Sequence, residues 1–291
     1  MSTTADSATP SPAPAPATPS TWQRALKQKR FVFGGGLTLL IVLFAVLGPL
    51  LAPHGENEVV GPPYSKEGVF GTDYLGQDVL SRLMYGGTEV LIIAFTGTVM
   101  SMVLGTLIGV IAAYAGGWWD EVIMRLNDVM LAFPQILLAL VVLTAVSTPK
   151  AWMIIVLVGL SNAPRTARIA RGVALGIVSR DFVHAAEALG EKRSRVIVAE
   201  VLPNMNAPLL AEAGLRLTFS IILVAGLGFL GFTTDPGAAN WGQMINENRL
   251  GMATQVWATL APVTVIGLFT VGTNLMADGI AQLSQRGGSD R

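Results

Sequence analysis

The chain has 291 residues, of which 52% are hydrophobic and 13% are charged, whereas about 25% of the residues of an ordinary soluble domain are charged. This composition indicates a membrane protein. The 19 Lys and Arg residues balance 19 Asp and Glu residues, so the overall charge does not favour a nucleic-acid partner. The chain has no cysteine, which excludes disulfides, thiolate nucleophiles and iron–sulfur clusters.

The N-terminus consists of a tail followed by a basic flank. Residues 1–21 are mostly Ala, Pro, Ser and Thr, a composition that predicts disorder. Arg24, Lys27, Lys29 and Arg30 then precede the first apolar run, as is typical of the cytoplasmic side of a first spanning helix. The run is too long for a signal-peptide core, so we expect it to be retained.

Apolar runs long enough to cross a bilayer predict six spans, with a few residues of error at each end. They are 31–52, 89–115, 124–147, 151–171, 207–231 and 255–278. With the N-terminus inside, the inside segments contain thirteen Lys and Arg residues and the outside segments contain four. The positive-inside rule supports this orientation, so both termini are predicted to be cytoplasmic.

Charges inside or beside the spans predict ion pairs. Glu212 and Arg216 are four residues apart, so they lie side by side on a helix and are expected to pair while facing protein. Arg125 and Asp128 are three residues apart, and here an ion pair competes with a proton relay through Asp128. Pro134 removes one backbone donor and predicts a kink in the third span.

Two glycine pairs predict close helix packing. Gly105 and Gly109 lie in the second span, and Gly172 and Gly176 follow the fourth. Small residues at this spacing let helix backbones approach each other.

The sequence argues against a nucleotide site in this chain. No lysine follows a glycine, whereas a phosphate-binding loop requires a Gly-Lys pair. The two histidines, His54 and His184, fall on opposite sides in the predicted topology, so a histidine-paired hydrolytic site is not expected. Any ATP would therefore be bound by another subunit.

The outer connection, residues 54–88, contains several acids, but their spacing does not match a calcium loop. Asp78 is a candidate N-cap for a short helix that would end at Gly86. Its apolar face would consist of Val79, Leu80, Leu83 and Met84. We expect this helix to lie along the outer surface.

The inside connection between spans four and five predicts a second short helix, over residues 181–190. Ser179 or Asp181 can cap its first amides, and Gly190 suits the left-handed residue that ends a helix. One face would carry Phe182, Ala185, Ala186 and Leu189. Either a partner protein or the chain's own helices would cover that face.

This inside connection resembles the cytoplasmic loop of the permease subunits of bacterial ABC importers. The family motif is Glu-Ala-Ala, three residues, Gly, and later Leu-Pro. The residues that match it here are Ala185, Ala186, Gly190, Leu202 and Pro203. His184 stands at the leading glutamate, and Glu200 stands at an apolar position of the motif.

Further stretches resemble the dipeptide and oligopeptide branch of these importers, in its second-permease (oligopeptide permease C) type. They are the outer-loop sequence GTDYLGQDVLSR at 71–82, YAGGWWD at 114–120, AFP at 132–134, and FLG at 229–231 before WG at 241–242. Gln77 replaces the usual arginine of the first stretch. The resemblance covers residues 22–285.

The resemblance implies an all-α protein of the bacterial plasma membrane, with six transmembrane helices in the type I permease fold of ABC importers. It divides the chain after the tail, 1–21, into an N-terminal transmembrane helix with an extracytoplasmic loop, 22–88, and a permease core, 89–285. The core includes a cytoplasmic coupling loop, 172–206. A short C-terminal tail, 286–291, ends the chain.

The resemblance also implies a transport subunit with no catalytic residue, cofactor or metal of its own. Its partners would be a second homologous permease, two ATPase subunits that hold ATP and Mg, an extracytoplasmic binding protein, and membrane lipid. The residues that would couple it to the ATPases are Asp181, Phe182, Ala185, Ala186, Leu189, Gly190, Leu202 and Pro203. Arg180, Glu187, Lys192 and Arg193 would form a polar rim.

The cargo and two rival functions remain open at this point. Importers of this branch carry oligopeptides or dipeptides, but also nickel complexes, glutathione or other small solutes. An ion-coupled secondary carrier would use Asp128 or Glu212 as its coupling carboxylate. A membrane scaffold anchored through the Ala/Pro tail is the third hypothesis.

Overall fold

The structure, a computed structural model, describes residues 28–146 and 149–289, with side chains as far as residue 282. The predicted disordered tail, 1–21, lies outside the described residues, as do Arg24 and Lys27.

The described residues form twelve α-helices. In chain order they are α1 (Lys29–Leu51), α2 (Val79–Tyr85), α3 (Gly87–Ala115), α4 (Gly117–Ala132), α5 (Gln135–Thr144), α6 (Ala151–Val178), α7 (Asp181–Ala188), α8 (Arg193–Val196), α9 (Leu202–Asn204), α10 (Asn206–Phe229), α11 (Trp241–Asn248) and α12 (Trp257–Ser289). A π-helical turn, Ile197–Val201, joins α8 to α9, and a 3₁₀ turn, Arg249–Gly251, follows α11.

In these ranges four segments are long and apolar enough to cross a membrane: α1, α2 with α3, α10 and α12. The pair α4 and α5 makes a fifth if it counts as one bent span. The helix α6 covers the predicted fourth span, but Arg165, Arg168 and Arg171 lower its hydropathy. The all-helical membrane fold is therefore established, whereas the count of six spans and the cytoplasmic termini stay predictions.

The kink predicted at Pro134 is confirmed, and it is a full break. The axes of α4 and α5 differ by 75°, and Phe133 is extended, with φ −85° and ψ 127°. A residue before proline is driven out of the helical region by the proline ring. The third predicted span is thus an elbow of two helices, and it begins at Gly117 rather than near residue 124.

The bundle is centred on α3 and α6, which pack at backbone distance. A Cβ atom added to Gly105 would lie 2.5 Å from the Cβ of Thr166, and one added to Gly109 would lie 2.4 Å from the carbonyl oxygen of Ala167. The packing predicted for this pair is confirmed. Within the described part of the chain nothing lies within 4 Å of such an atom at Gly172 or Gly176, so the second glycine pair makes no such contact.

The helix α1 lies at the edge of the bundle against α12. Gly34 makes this contact possible, because a Cβ atom there would lie 2.6 Å from the carbonyl oxygen of Gly272. The chain runs from α1 through α2 into α3, which ends beside α7. The bundle therefore has two ends, which we call the α2 end and the α7 end.

Candidate functional site

The helix α7 follows directly on α6 at the α7 end. Its N-cap is Arg180, whose backbone is extended, with φ −89° and ψ 148°, and in the described chain no side chain caps the helix. The predicted capping by Ser179 or Asp181 is therefore wrong. Asp181 is instead the first helical residue, where its negative charge interacts favourably with the helix dipole.

Gly190 ends α7 as the sequence predicts. Its φ is +81°, in the left-handed region that glycine adopts without steric cost. The amide of Gly190 donates to the carbonyl of Glu187 over 2.9 Å, and the amide of Glu191 donates to the carbonyl of Ala186 over 3.2 Å. These two bonds form a Schellman turn, which directs the chain away towards α8.

The apolar face predicted on α7 is divided between two environments. Val183 is fully buried, and Ala186 is half-buried beside it. Both contact a hydrophobic cluster that α3, α6 and the α8–α9 segment share, formed by Val110, Ala113, Ala170, Ala174, Ile177, Val196, Val201 and Met205. The chain's own helices therefore cover this side of α7.

The other side of α7 is an exposed apolar patch. Leu189 is 85% exposed and Phe182 is 38% exposed, and Ala185 lies between them, also exposed. We call these three residues the α7 patch. Their spacing of three and four residues places them on one face of the helix.

Polar contacts join α7 to its surroundings. The hydroxyl of Tyr114, at the end of α3, donates a hydrogen bond to Glu187. His184, which replaces the family glutamate, lies with its Nδ1 3.8 Å from Glu187 Oε2. Glu187 therefore ties α7 to α3.

The two other predicted coupling residues lie in α9. Leu202 is half-buried on the cluster that holds Val183, whereas Pro203 is exposed. The side-chain amide of Asn204 donates to the carbonyl of Glu200 over 2.6 Å. Leu202 therefore packs on the bundle where the loop leads back to α10, and it does not belong to the α7 patch.

The predicted pair of Arg125 with Asp128 is wrong. Arg125 pairs with Glu121, one turn earlier in α4, over 2.9 Å. Asp128 pairs with Arg168 of α6 over 2.6 Å. The pairing differs from the prediction because α6 packs beside α4 and places Arg168 next to Asp128, a contact that spacing along α4 does not reveal.

Glu212 and Arg216 do meet within α10. Arg216 Nε lies 2.7 Å from Glu212 Oε1, and both side chains are buried. The guanidinium also lies 5.0 Å from the centre of the Phe219 ring. Both acids that a proton-coupled carrier would use, Asp128 and Glu212, are thus neutralised by arginine, which does not favour that hypothesis.

The α2 end contains a charged network that joins distant parts of the chain. Arg82 of α2 lies 2.6 Å from Asp73 and 3.2 Å from Glu247 of α11. Asp73 and Arg82 are buried, and Asn248 accepts the backbone amide of Tyr74 over 3.1 Å. Burial raises the pKa of the Tyr74 phenol, and the nearby Glu247 carboxylate raises that pKa further.

The helix predicted from Asp78 is present, and Asp78 accepts the Ser81 amide over 2.9 Å. Its predicted place on the surface is wrong, because its polar residues Ser81 and Arg82 are buried together with Val79 and Leu83. The indole of Trp241 donates to the carbonyl of Leu83 over 2.8 Å. The sequence did not reveal that Trp241 packs on α2, because Trp241 lies far along the chain, in α11.

Two other acids of the outer connection accept hydrogen bonds from backbone amides. Glu56 accepts the amide of Ala239 over 2.6 Å, and Glu58 accepts the amide of Gly55 over 2.9 Å. Across the described ranges no three acids or histidines are grouped as a metal site requires.

Two protein families match the sequence. The family described as binding-protein-dependent transport system inner membrane component matches residues 105–287. The family described as the N-terminal transmembrane domain of oligopeptide transport permease C matches residues 20–66.

Curated relatives match nearly the whole chain. A dipeptide transport system permease protein of Alkalihalophilus pseudofirmus is 33% identical over 281 residues, 93% of this chain and 91% of that protein. A di/tripeptide transport system permease protein of Pseudomonas aeruginosa is 34% identical, over 89% of this chain and 88% of that protein. A glutathione transport system permease protein of Pectobacterium atrosepticum is 31% identical, over 89% and 87%.

A solved structure shares the fold. The MetNI methionine ABC transporter, in an inward-facing conformation, superposes with a TM-score of 0.56 and 18% sequence identity, covering 69% of this chain and 95% of that chain.

Proposed function

We propose that this chain, which belongs to the family of binding-protein-dependent transport system inner membrane components, imports short peptides as the permease subunit of an ATP-driven transporter. It is a multi-pass protein of the plasma membrane and is not an enzyme, because its relatives are permease subunits. The observation that carries the proposal is the α7 patch, which lies on a helix that the bundle anchors from its other side.

The names of the relatives support a peptide cargo. Dipeptides and tripeptides are the substrates named for two of them. Glutathione, named for the third, is itself a tripeptide. The shared chemistry is a short chain of amide bonds with charged ends, and this is the class of cargo that we assign.

The α7 patch is the proposed contact with an ATPase subunit. Apolar side chains exposed to water are stabilised by burial at about 25 cal/mol per Å² of area, so Leu189 and Phe182 favour a hydrophobic groove on a partner. Arg180, Glu187, Lys192 and Arg193 would surround this contact with charge. We expect Val183 and Ala186 to transmit force, since they contact the side chains of α3 and α6.

The proposed assembly contains a second homologous permease, two ATPase subunits with their ATP and Mg, and an extracytoplasmic protein that delivers the peptide. All six predicted spans would cross the bilayer with both termini in the cytoplasm, and α6 would present its arginines to the cytoplasmic interface. Closure of the ATPase pair would move α7 and rock the spans between inward-open and outward-open states.

A mild-detergent purification of the tagged chain from its own host tests this function. We expect a second permease and ATPase subunits to accompany it, and the complex in liposomes to import dipeptide when ATP is supplied. Recovery of the chain alone, still active in uptake, would contradict the proposal.

A pair of matched variants sharpens the test. Leu189→Asp places a charge in the α7 patch, whereas Leu250→Asp changes a residue that is equally exposed, 85% against 86%, at the α2 end. We expect the first variant to lose the ATPase subunits and the second to retain them. Ala186→Asp is less informative, because Ala186 also packs on the bundle.

A further inference from the structure

One face of α6 carries a row of polar contacts to the elbow formed by α4 and α5. Arg171, Arg168, Pro164 and Ser161 are spaced three, four and three residues apart, which places them on one side of a helix. Each of them bonds to a side chain of α4 or α5. We call this row the α6 seam.

The half of the seam nearest α7 consists of ion pairs. Arg171 contacts both carboxylate oxygens of Asp120, each over 2.5 Å. Arg168 contacts Asp128 over 2.6 Å. A bidentate arginine–carboxylate pair fixes orientation as well as distance, so α4 follows this part of α6 closely.

The other half of the seam consists of amide bonds on either side of the elbow. Asn127, in α4, donates to the carbonyl of Pro164 over 3.0 Å and is buried. Gln135, the first residue of α5, donates to the carbonyl of Ser161 over 2.6 Å. Pro164 lacks an amide hydrogen, so the carbonyl of Leu160 loses its helical donor, and the two acceptors of the seam lie within about one turn of this break.

The geometry of the elbow depends on these two bonds. Phe133 and Pro134 leave α4 and α5 joined by two residues in extended conformation, a link that does not itself fix an angle of 75°. At the elbow, one amide holds the end of α4 to α6 and the other holds the start of α5 to α6. Loss of either bond would loosen one arm next to the elbow, while the ion pairs still hold α4 further from it.

We infer that the α6 seam transmits the motion of α7 to the elbow, and that Asn127 and Gln135 are positioning residues that set the angle of the elbow during transport. This inference rests on the proposed function. At one end of the seam, α6 leads directly into α7. At the other end, the seam reaches α5, which packs on α10 as well as on α6.

The chain allows a direct test, because it has no cysteine of its own. Val129→Cys in α4 and Val141→Cys in α5 would place spin labels at exposed positions on the two arms of the elbow. The sample is the full transporter in liposomes, with the cysteines of its partner subunits replaced. The distance between the labels is measured by pulsed electron resonance without nucleotide and with magnesium ATP trapped by vanadate.

We expect the distance to shift by several ångströms between the two states. Asn127→Leu and Gln135→Met remove the amide donors at similar size. In both variants we expect the distance distribution without nucleotide to broaden, and peptide uptake per ATP hydrolysed to fall several-fold at an unchanged yield of assembled complex. Thr218→Val is the control, since it removes a buried hydroxyl bond of 2.7 Å between α10 and α12, away from the elbow.

An identical distance in both nucleotide states would overturn the inference even if the amide variants fail to fold. Unchanged uptake per ATP in both amide variants, or an equal loss in Thr218→Val, would overturn it as well. The distance measurement does not depend on the cargo, because ATP drives the change, so an error about the peptide would affect the uptake readout and leave the distance shift intact. If no ATPase accompanies the chain, the proposed function fails first and this inference fails with it.

Discussion

The short helices at the two ends of the bundle, α2 and α7, are held by different kinds of contact. At the α2 end, hydrogen bonds and ion pairs join segments far apart in sequence, as Arg82 and Glu247 show. At the α7 end, α7 is held mainly by apolar contacts around Val183 and leaves Leu189 exposed. Directional polar bonds fix one geometry, whereas apolar contacts tolerate sliding, so we expect the α2 end to be rigid and the α7 end to move.

The largest effect is expected from Asp73→Ala at the α2 end. This change leaves the buried Arg82 guanidinium without its closest partner, and loss of one partner of a buried ion pair costs about 3–5 kcal/mol. We expect a lower melting temperature of the purified complex and faster proteolysis between residues 54 and 78. Glu247→Gln is the milder control, because it retains the 2.6 Å pair of Arg82 with Asp73. Equal melting temperatures for Asp73→Ala and the wild type would show that the network does not hold this end.

Val183→Ala tests the anchor of α7. Two buried methyl groups are lost, at a cost of about 2 kcal/mol. We expect α7 to loosen from the bundle while the α7 patch still binds the ATPases, so ATP hydrolysis should continue and peptide uptake per ATP should fall. Val69→Ala, at an exposed residue of the α2 end, is the control. Unchanged peptide uptake per ATP hydrolysed in Val183→Ala would show that Val183 is not needed to link α7 to the bundle.

Gly190→Ala and Gly231→Ala form a matched pair across the two ends. Their φ values are +81° and +88°, and no described atom lies within 4 Å of an added Cβ at either position. Each change therefore costs about 1–2 kcal/mol through the backbone alone. We expect Gly190→Ala to reduce uptake more than Gly231→Ala, measured per assembled complex. Equal losses would mean that the shape of the α7 turn has no special part in transport.

The smallest effect is expected from Tyr114→Phe. The change removes one exposed hydrogen bond to Glu187, worth about 1 kcal/mol or less. We expect a modest fall in uptake and normal recovery of the ATPases. A complete loss of uptake would indicate that α3 drives α7 through this contact rather than through the apolar cluster.

Several short-range features were predictable from the sequence because their causes are local, although the predicted side-chain cap of α7 was wrong. Pro134 breaks its helix through its own ring, Asp78 caps the helix that follows it, and Gly190 ends α7 because it adopts a positive φ. Glu212 and Arg216 meet because they are one turn apart. Spacing along α7 predicted the face that contains the α7 patch, but not that Ala186 would pack on the bundle while the other three residues stay exposed.

Contacts between distant segments were not predictable in this way. Val183 is one more apolar residue in the sequence, and its burial depends on α3 and α6. Arg125 and Asp128 have the spacing of an ion pair. Asp128 nevertheless pairs with Arg168, which lies forty positions away in the chain. The burial of α2 likewise depends on Trp241, which lies 158 positions from Leu83.

Site-specific cross-linking tests the central claim, that the α7 patch docks on an ATPase subunit, most directly. Leu189→Cys would carry a photoreactive benzophenone in the assembled complex, and Leu250→Cys would carry the same group at the α2 end. The account predicts a cross-link to an ATPase subunit from residue 189 and none from residue 250. It would be contradicted if, on illumination, residue 189 formed no cross-link to an ATPase subunit in a complex that contains the ATPases.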